Sequence, residues 1–399
     1  MFTLSSSLKA THRLSQETFD DAYKKLTSQN EHTFYKLPFE ESVWQESIAY
    51  SKYLKTHFNQ LCVIGTGGSS LGTECLHSAF DFEQTNVLFF DNLDPHSFEK
   101  KLEKIVDLTK AHFLIVSKSG NTLETMVLAN YILQIYQEKN IEISHHFTVI
   151  TDPIESSLRS FATNHKLKII FMPKEVGGRF SVFSQAGLVP TGFFCDLENL
   201  RKGAIKGCED LVQLKDLCEI VYSSYQNGDY IHNFWIYSDR LLTFGSWLNQ
   251  LWSESLGKPL PTPFPLIKIC RGSTDQHSYL QQVVEGGHAQ VNWILTIQNH
   301  PNDLPTKRKN EPICHPWKVD TLKLSEIFYK QAESLKGCFE ESKLNTIHID
   351  FSELREIEMG QIIMQWEFII GLLGEIMGIN AFDQPGVEVQ KKIFKKIIN

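Results

Sequence analysis

The chain is predicted to be an α/β protein with mainly parallel sheets in two domains, extended by helical segments at both ends. Three observations predict this. Short apolar runs at 61–65, 86–90, 112–117, 147–151 and 167–172 alternate with segments of helical periodicity, and strands separated by helices pair in parallel. The first and third runs end in glycine- or serine-rich turns that open helices, the place where doubly wound sheets bind ligands. The 399 residues exceed one ordinary core, and the same alternation returns, more loosely, after a polar segment at 197–216.

Residues 1–58 are polar and mixed, with helical stretches at 18–28 and 42–55, and are expected to wrap the first domain. The run at 61–65 enters the turn GTGGSSLG (65–72). Strand, tight turn and helix present backbone N–H groups to an anion. Gly65 and Gly67, with Asp91 further on, also partly match a dinucleotide-binding pattern, but Ser70 stands where its third glycine belongs. The run at 112–117 leads into SKSGNT (117–122) and a helix over 123–137. One hydroxyl suffices for a helix cap. Ser117, Ser119 and Thr122 together favour a phosphate cradle. In GGRFSVFS (177–184) two glycines permit close backbone approach, and Arg179 is either a surface cation or a stabiliser of developing negative charge.

In the second half, 232–237, 266–270, 291–296 and 345–350 read as strands. Between the first two, Phe244, Trp247, Leu248, Leu251 and Trp252 recur at helical spacing. Gln250 and Glu254, four apart, flank this stripe, which sets a carboxylate at the edge of a core where it can act as a base. Gly257 and Pro259 are expected to stop the helix. His277 follows the turn RGSTDQH (271–277) near a helix start, a position that is structural or functional in equal measure. The stretch 300–316 reads as a surface excursion. The apolar stretch 361–379, interrupted by Gln365, Glu367 and Glu375, is expected to be a buried amphipathic helix and not a membrane span. Last, FDQPGVEVQK (382–391) launches a short basic helix, in which spacing alone does not separate Lys391 from Lys392, Lys395 and Lys396.

Composition narrows the function. The chain is 42% hydrophobic and 22% charged with a net charge of −8, so nucleic acid is not an expected partner and an anionic ligand must be held by local groups. The 8 cysteines show no CxxC pair, so neither zinc nor a redox couple is indicated, and free thiols fit a reducing cytoplasm. The N-terminal stretch has no apolar core long enough for a signal peptide.

Six blocks, GTGGSSLG (65–72), SKSGNT (117–122), GGRFSVFS (177–184), QLWSESLGK (250–258), GSTDQHSYLQQ (272–282) and FDQPGVE (382–388), together resemble the glucose-6-phosphate isomerase (phosphoglucose isomerase) family in its shorter bacterial form. They occur in the family's order. The resemblance implies two SIS-type αβα sandwich domains at 59–196 and 197–375, an N-terminal extension at 1–58, a C-terminal arm at 376–399, and a homodimer. It also implies roles. Glu254 would carry the proton between C1 and C2. Arg179 would stabilise the enediolate. His277, from the partner subunit, and Lys391 would open the sugar ring. Gly68, Ser69, Ser117, Lys118, Ser119 and Thr122 would hold the phosphate, Gln250 and Gln384 would line the sugar, and Glu124 would orient His277. The substrate is a hexose phosphate, and neither cofactor nor metal is called for. The residues agree: aldose–ketose isomerisation needs a base, a cation beside the enediolate, and a remote grip that orients the sugar. A non-catalytic sugar-phosphate sensor or an isomerase of another hexose phosphate would share much of this pattern, and a dinucleotide-dependent oxidoreductase is the rival from a different class.

Overall fold

The computed structural model describes residues 2–8, 12–80, 86–301, 303–305, 317, 319 and 322–398. The chain begins with β1 (Phe2–Ser6), α1 (Gln16–Ser28) and α2 (Glu41–His57). The first α/β unit follows: β2 (Gln60–Ile64), α3 (Leu71–Phe80), β3 (Val87–Phe90), α4 (Pro95–Glu103), β4 (Ala111–Val116), α5 (Leu123–Glu138), β5 (Phe147–Thr151), α6 (Ser157–Asn164), β6 (Lys168–Phe171) and α7 (Gln185–Thr191). Next come α8 (Leu197–Glu209) and α9 (Leu211–Asn227). The second unit comprises β7 (Ile231–Ile236), α10 (Leu242–Leu256), β8 (Leu266–Arg271), α11 (Leu280–Glu285), β9 (Gln290–Ile297), α12 (Leu324–Glu341) and β10 (Asn345–Phe351). The chain closes with α13 (Glu356–Met377) and α14 (Pro385–Ile398).

There are two five-stranded sheets, ordered β3-β2-β4-β5-β6 and β1-β10-β9-β7-β8. All pairings are parallel except β1 with β10. The strand runs read from the sequence coincide with β2 to β10. The strands of the first sheet are mostly apolar because helices cover both faces of a parallel sheet, whereas β7 to β10 carry polar residues such as His232, Asn233, Lys268, Asn292 and His348. In both sheets the first strand of the unit lies inside and the chain reverses direction across it, so a crevice opens at the strand C-termini. In the first unit that crevice lies between the turns after β2 and β4.

Two expectations are corrected, and one segment is given its form. The N-terminal segment is not helical throughout, since β1 adds an antiparallel edge to the second sheet, with Phe2 opposite Phe351. The polar segment at 197–216, read as the boundary between the two units, is ordered. It forms α8 and the start of α9, and α8 lies directly on α13. A Cβ on Gly203 would sit 2.1 Å from the Ile357 carbonyl oxygen, and one on Gly360 2.2 Å from that of Leu200. Glycines that resemble a boundary are here what lets two helix backbones touch. Finally, α13 is buried around its whole girth, not along one stripe, from Glu358 to Gly374. The excursion expected at 300–316 lies mostly outside the described residues.

The aromatic stripe of α10 anchors the second unit. Trp252 lies 6.1 Å from Trp366 of α13, which meets Trp293 of β9 edge-on at 5.5 Å. Trp247 and Trp252 are each 1% exposed. With its stripe fixed in this core, α10 presents its flank, and so Gln250 and Glu254, toward the first unit. Among the described residues no helix is long and apolar enough to cross a membrane.

Candidate active site

The turn after β2 forms a one-turn helix at Gly67–Ser69. Gly67 has φ +56°, and a Cβ there would sit 2.8 Å from Nε2 of Gln250. A Cβ on Gly68 would fall 2.3 Å from the Gly178 carbonyl carbon. No side chain fits at either place. The two glycines therefore bring the first unit's backbone against α10 and against the segment that carries Arg179. The Ser181 hydroxyl adds a hydrogen bond to the Gly68 carbonyl at 3.2 Å.

The turn after β4 opens α5. Thr122 is the N-cap, but its side chain caps no helix amide. Its hydroxyl instead meets that of buried Ser117 at 3.1 Å. The first N–H groups of α5 thus lack the usual side-chain acceptor and remain available to an anion. Gly120 turns the chain with φ +61°, and the Ser119 hydroxyl accepts from the Asn121 N–H at 3.3 Å. Lys118 is half-buried. Desolvation holds its pKa below the ordinary lysine value, against the pull of Asp152 and Glu175.

Arg179 is 4% exposed, and each of its five N–H donors has an acceptor. Nε donates to the Ser255 hydroxyl at 2.7 Å, and one terminal nitrogen donates to Gln384 Oε1 at 2.6 Å and to Glu254 Oε2 at 3.3 Å. The other donates to the carbonyls of Ala381 at 2.6 Å and Asp383 at 3.1 Å. Burial pulls the guanidinium pKa down, and the carboxylates of Glu254 and Asp383 oppose this. Gln250 Nε2 donates to the other oxygen of Glu254 at 2.9 Å, so the carboxylate is fixed from both sides while about a third of it stays open to solvent. The Gln250 Oε1 is buried without a partner. Asp383 is further tied to Lys258 at 2.7 Å, and Phe382 is stacked on His32 at 3.9 Å.

One chain therefore joins Arg179, Glu254, Gln250, Gln384 and the Gly67–Ser69 turn, with the Ser117–Thr122 cradle at the adjacent strand end. It does not bring His277 or Lys391 into contact with them. His277 is exposed on the turn after β8, an edge strand, and has no hydrogen bond, ion pair or ring contact among the described residues. Glu124 is part-exposed in the first turn of α5. Lys391 is exposed on α14 and pairs with Glu388 at 2.7 Å. Sequence reading missed Ser255, Lys258 and Asp383. All three lie within or beside the QLWSESLGK and FDQPGVE blocks, which was the available signal. A cleft of about 480 Å³ walled by Tyr50, Tyr53, His112, Phe147 and Lys168 lies at the other end of the first sheet, among the strand starts, where such sheets do not bind ligands.

The phosphoglucose isomerase family model matches residues 42–311 and 325–399. The chain belongs to the phosphoglucose isomerase family. A relative from Campylobacter jejuni named glucose-6-phosphate isomerase is 33% identical over 366 residues, covering 86% of this chain and 86% of that one. The fold of this phosphoglucose isomerase family member matches the crystal structure of a hypothetical protein from Thermus thermophilus with a TM-score of 0.89 at 26% identity, covering 99% of this chain and 100% of that one. It matches a Chlamydia trachomatis glucose-6-phosphate isomerase with a TM-score of 0.81 at 20% identity, covering 100% of this chain and 88% of that one.

Proposed function

We propose that this chain interconverts glucose 6-phosphate and fructose 6-phosphate, reversibly, by ring opening and proton transfer through a cis-enediol(ate), in glycolysis and gluconeogenesis. The observation that carries this is the buried Arg179 guanidinium holding the partly open carboxylate of Glu254. Glu254 takes the proton from C2, the C–H electron pair becomes the C1–C2 double bond as the C1 carbonyl pair moves onto O1, the hydroxyl proton passes from O2 to O1, and the same carboxyl returns its proton to C1 as the O2 pair forms the C2 carbonyl. The cation at 3.3 Å from that carboxylate lies beside the developing oxyanion. Gln250, with its unpartnered Oε1, and Gln384 line the sugar. The phosphate is gripped by Gly68, Ser69, Ser117, Lys118, Ser119 and Thr122 and by the uncapped start of α5.

Ring opening falls to His277 and Lys391. The exposure of His277 and its lack of side-chain partners among the described residues support its delivery from the second subunit of a homodimer, where Glu124 would orient it. On α14 the residues Val389, Ile393 and Ile397 are 59%, 53% and 75% exposed, which supports a docked position for this helix in the assembled enzyme. The layout is an N-terminal extension (1–58), two SIS-type units (59–196 and 197–375) and a C-terminal arm (376–399), in a cytoplasmic enzyme that needs no cofactor.

The deciding experiment is conversion of fructose 6-phosphate to glucose 6-phosphate, coupled to a dehydrogenase readout with EDTA present. Turnover by the native chain that is lost in Glu254→Gln is expected. Folded native protein that binds the sugar phosphate without turnover would refute the reading. For the dimer, mixed Glu254→Gln and His277→Ala subunits should regain activity. No gain despite subunit exchange would place each site within one chain.

A further inference from the structure

The Arg179 guanidinium is held from the C-terminal arm by the carbonyls of Ala381 and Asp383 and by the side chain of Gln384. Phe382 stands among these residues in the chain, so whatever seats its ring also sets where the acceptors lie. That ring is part-buried and belongs to a cluster drawn from three parts of the chain. Phe180, next to Arg179, lies tilted to it at 5.2 Å, and Phe34 lies at 6.2 Å and meets Phe180 at 4.8 Å. The nearest of its ring neighbours among the described residues is His32 of the N-terminal extension. The two rings are almost parallel, at 9°, with centroids 3.9 Å apart.

His32 has no other task in sight. Among the described residues no hydrogen bond or ion pair holds its imidazole, and burial keeps its pKa below the ordinary histidine value. At neutral pH it therefore stacks as an uncharged aromatic ring, and such stacks contribute beyond the area they bury. Its backbone is left-handed, with φ +59°, a conformation that most side chains avoid and that histidine and asparagine visit more readily. The bend falls just ahead of the short helix at Thr33–Phe39, where the N-terminal extension meets the arm. Beside the stack a cavity of about 330 Å³ opens between Gln29, Glu375 and Asn380. On that side the arm has room to shift unless the two rings hold it. We propose that His32 is a positioning residue for Arg179: its ring clamps Phe382 and so keeps the acceptors at Ala381, Asp383 and Gln384 in place around the guanidinium. Arg179 must meet charge that appears only during the reaction, and a donor set slightly out of place meets it less well.

This inference rests on the proposed role of Arg179, and the experiment separates the two. Native enzyme, His32→Asn, Phe382→Leu, the double variant and Arg179→Ala are assayed for kcat and KM. Inhibition is measured with inorganic phosphate and with a five-carbon aldonic acid phosphate, whose carboxylate stands where the enediolate oxygens form. Asparagine tolerates the left-handed backbone, so His32→Asn removes the ring and keeps the bend. It is expected to lose about fivefold or more in kcat and in aldonate affinity, with phosphate affinity within about twofold of native. Phe382→Leu should show the same pattern, and the double variant should lose no more than the worse single one, because both changes break the same contact. Native kcat and native aldonate affinity in His32→Asn overturn the proposal, and so do losses that multiply in the double variant. Equal weakening of phosphate and aldonate overturns it as well, since that marks a general loss of packing. If Arg179→Ala keeps native turnover, the assignment of Arg179 fails instead. Should His32→Asn not fold, His32→Gly, at ease in the same backbone, takes its place.

Discussion

The two sheets share one winding order and serve different ends. Numbered within each unit, the strands of the first run 2-1-3-4-5 and the parallel strands of the second 2-1-3-4. In the first unit the turns at the strand ends display backbone and hydroxyls: the glycine turn after β2, and Ser117, Ser119 and Thr122 after β4. In the second unit the same places hold side chains committed to each other. Arg271 forks onto Asp239 with a 2.7 Å bond, and Arg240 donates to the Ala79 carbonyl at 2.7 Å. The second unit's contribution comes from the far end of α10, where Gln250 and Glu254 reach the first unit's glycine turn. One unit offers main-chain donors that an anion could meet, the other offers side chains held in place by hydrogen bonds. A shared topology fixes where a site can be, not which half does which work.

This division is open to attack, most strongly at the proton carrier. Glu254→Gln is expected to lower kcat about 10³-fold while inorganic phosphate still inhibits; a small loss in kcat would move the base elsewhere. Arg179→Ala should cost about 10²-fold in kcat and weaken an enediolate mimic more than it weakens phosphate, and equal weakening of both would erase the division of labour. In the first unit Ser119→Ala should raise KM about three- to tenfold with kcat nearly kept. A kcat effect larger than the KM effect would show the grip taking part in chemistry. The smallest effect concerns neither grip nor chemistry. Glu367, buried in α13, has a raised pKa when folded, so its contribution to stability is complete below the ordinary carboxyl pKa near 4.3 and is lost as pH rises toward the folded value. Against Glu367→Gln, which does not titrate, native Tm should fall by on the order of a degree or two per pH unit above about pH 5. Thermal melts across pH check this, and parallel curves would mean that Glu367 is not buried as an acid.

Much of the fold is legible in the sequence because buried parallel strands are written as short, mostly apolar runs between helical segments. Leu61–Ile64 and Phe147–Ile150 need no partner to be recognised. β1 does: FTLSS is short and half polar, and it is a strand only because β10, nearly 350 residues later, offers an edge. α8 does not announce itself, because Gly203 and Gly207 weaken a helix on their own and make sense only against α13. At the site, turns that open helices carry local signatures, so both turns proposed to grip the phosphate stand out in the sequence. The five acceptors of Arg179 carry none, since Ser255, Ala381 and Gln384 meet it through folding alone. His277 and Lys391 could be named only by resemblance, because their surroundings within a single chain leave them without company at the site.

The anchoring of Arg179 has a consequence for synthesis. Its acceptors follow it by 75 to 205 residues, so a ribosome that has completed the whole first sheet has made none of them. Until the C-terminal arm emerges, only Ser255 and Glu254 can meet the guanidinium, and its other N–H groups must stay hydrated, because buried donors without acceptors are penalised. The joint between the two units therefore closes late. A chain cut short before Ala381 would lose more than its last helix: the three bonds of the guanidinium to Ala381, Asp383 and Gln384 would be missing at the seam, leaving only Ser255 and Glu254. Quality control needs only to sense that open seam to tell a finished enzyme from an unfinished one.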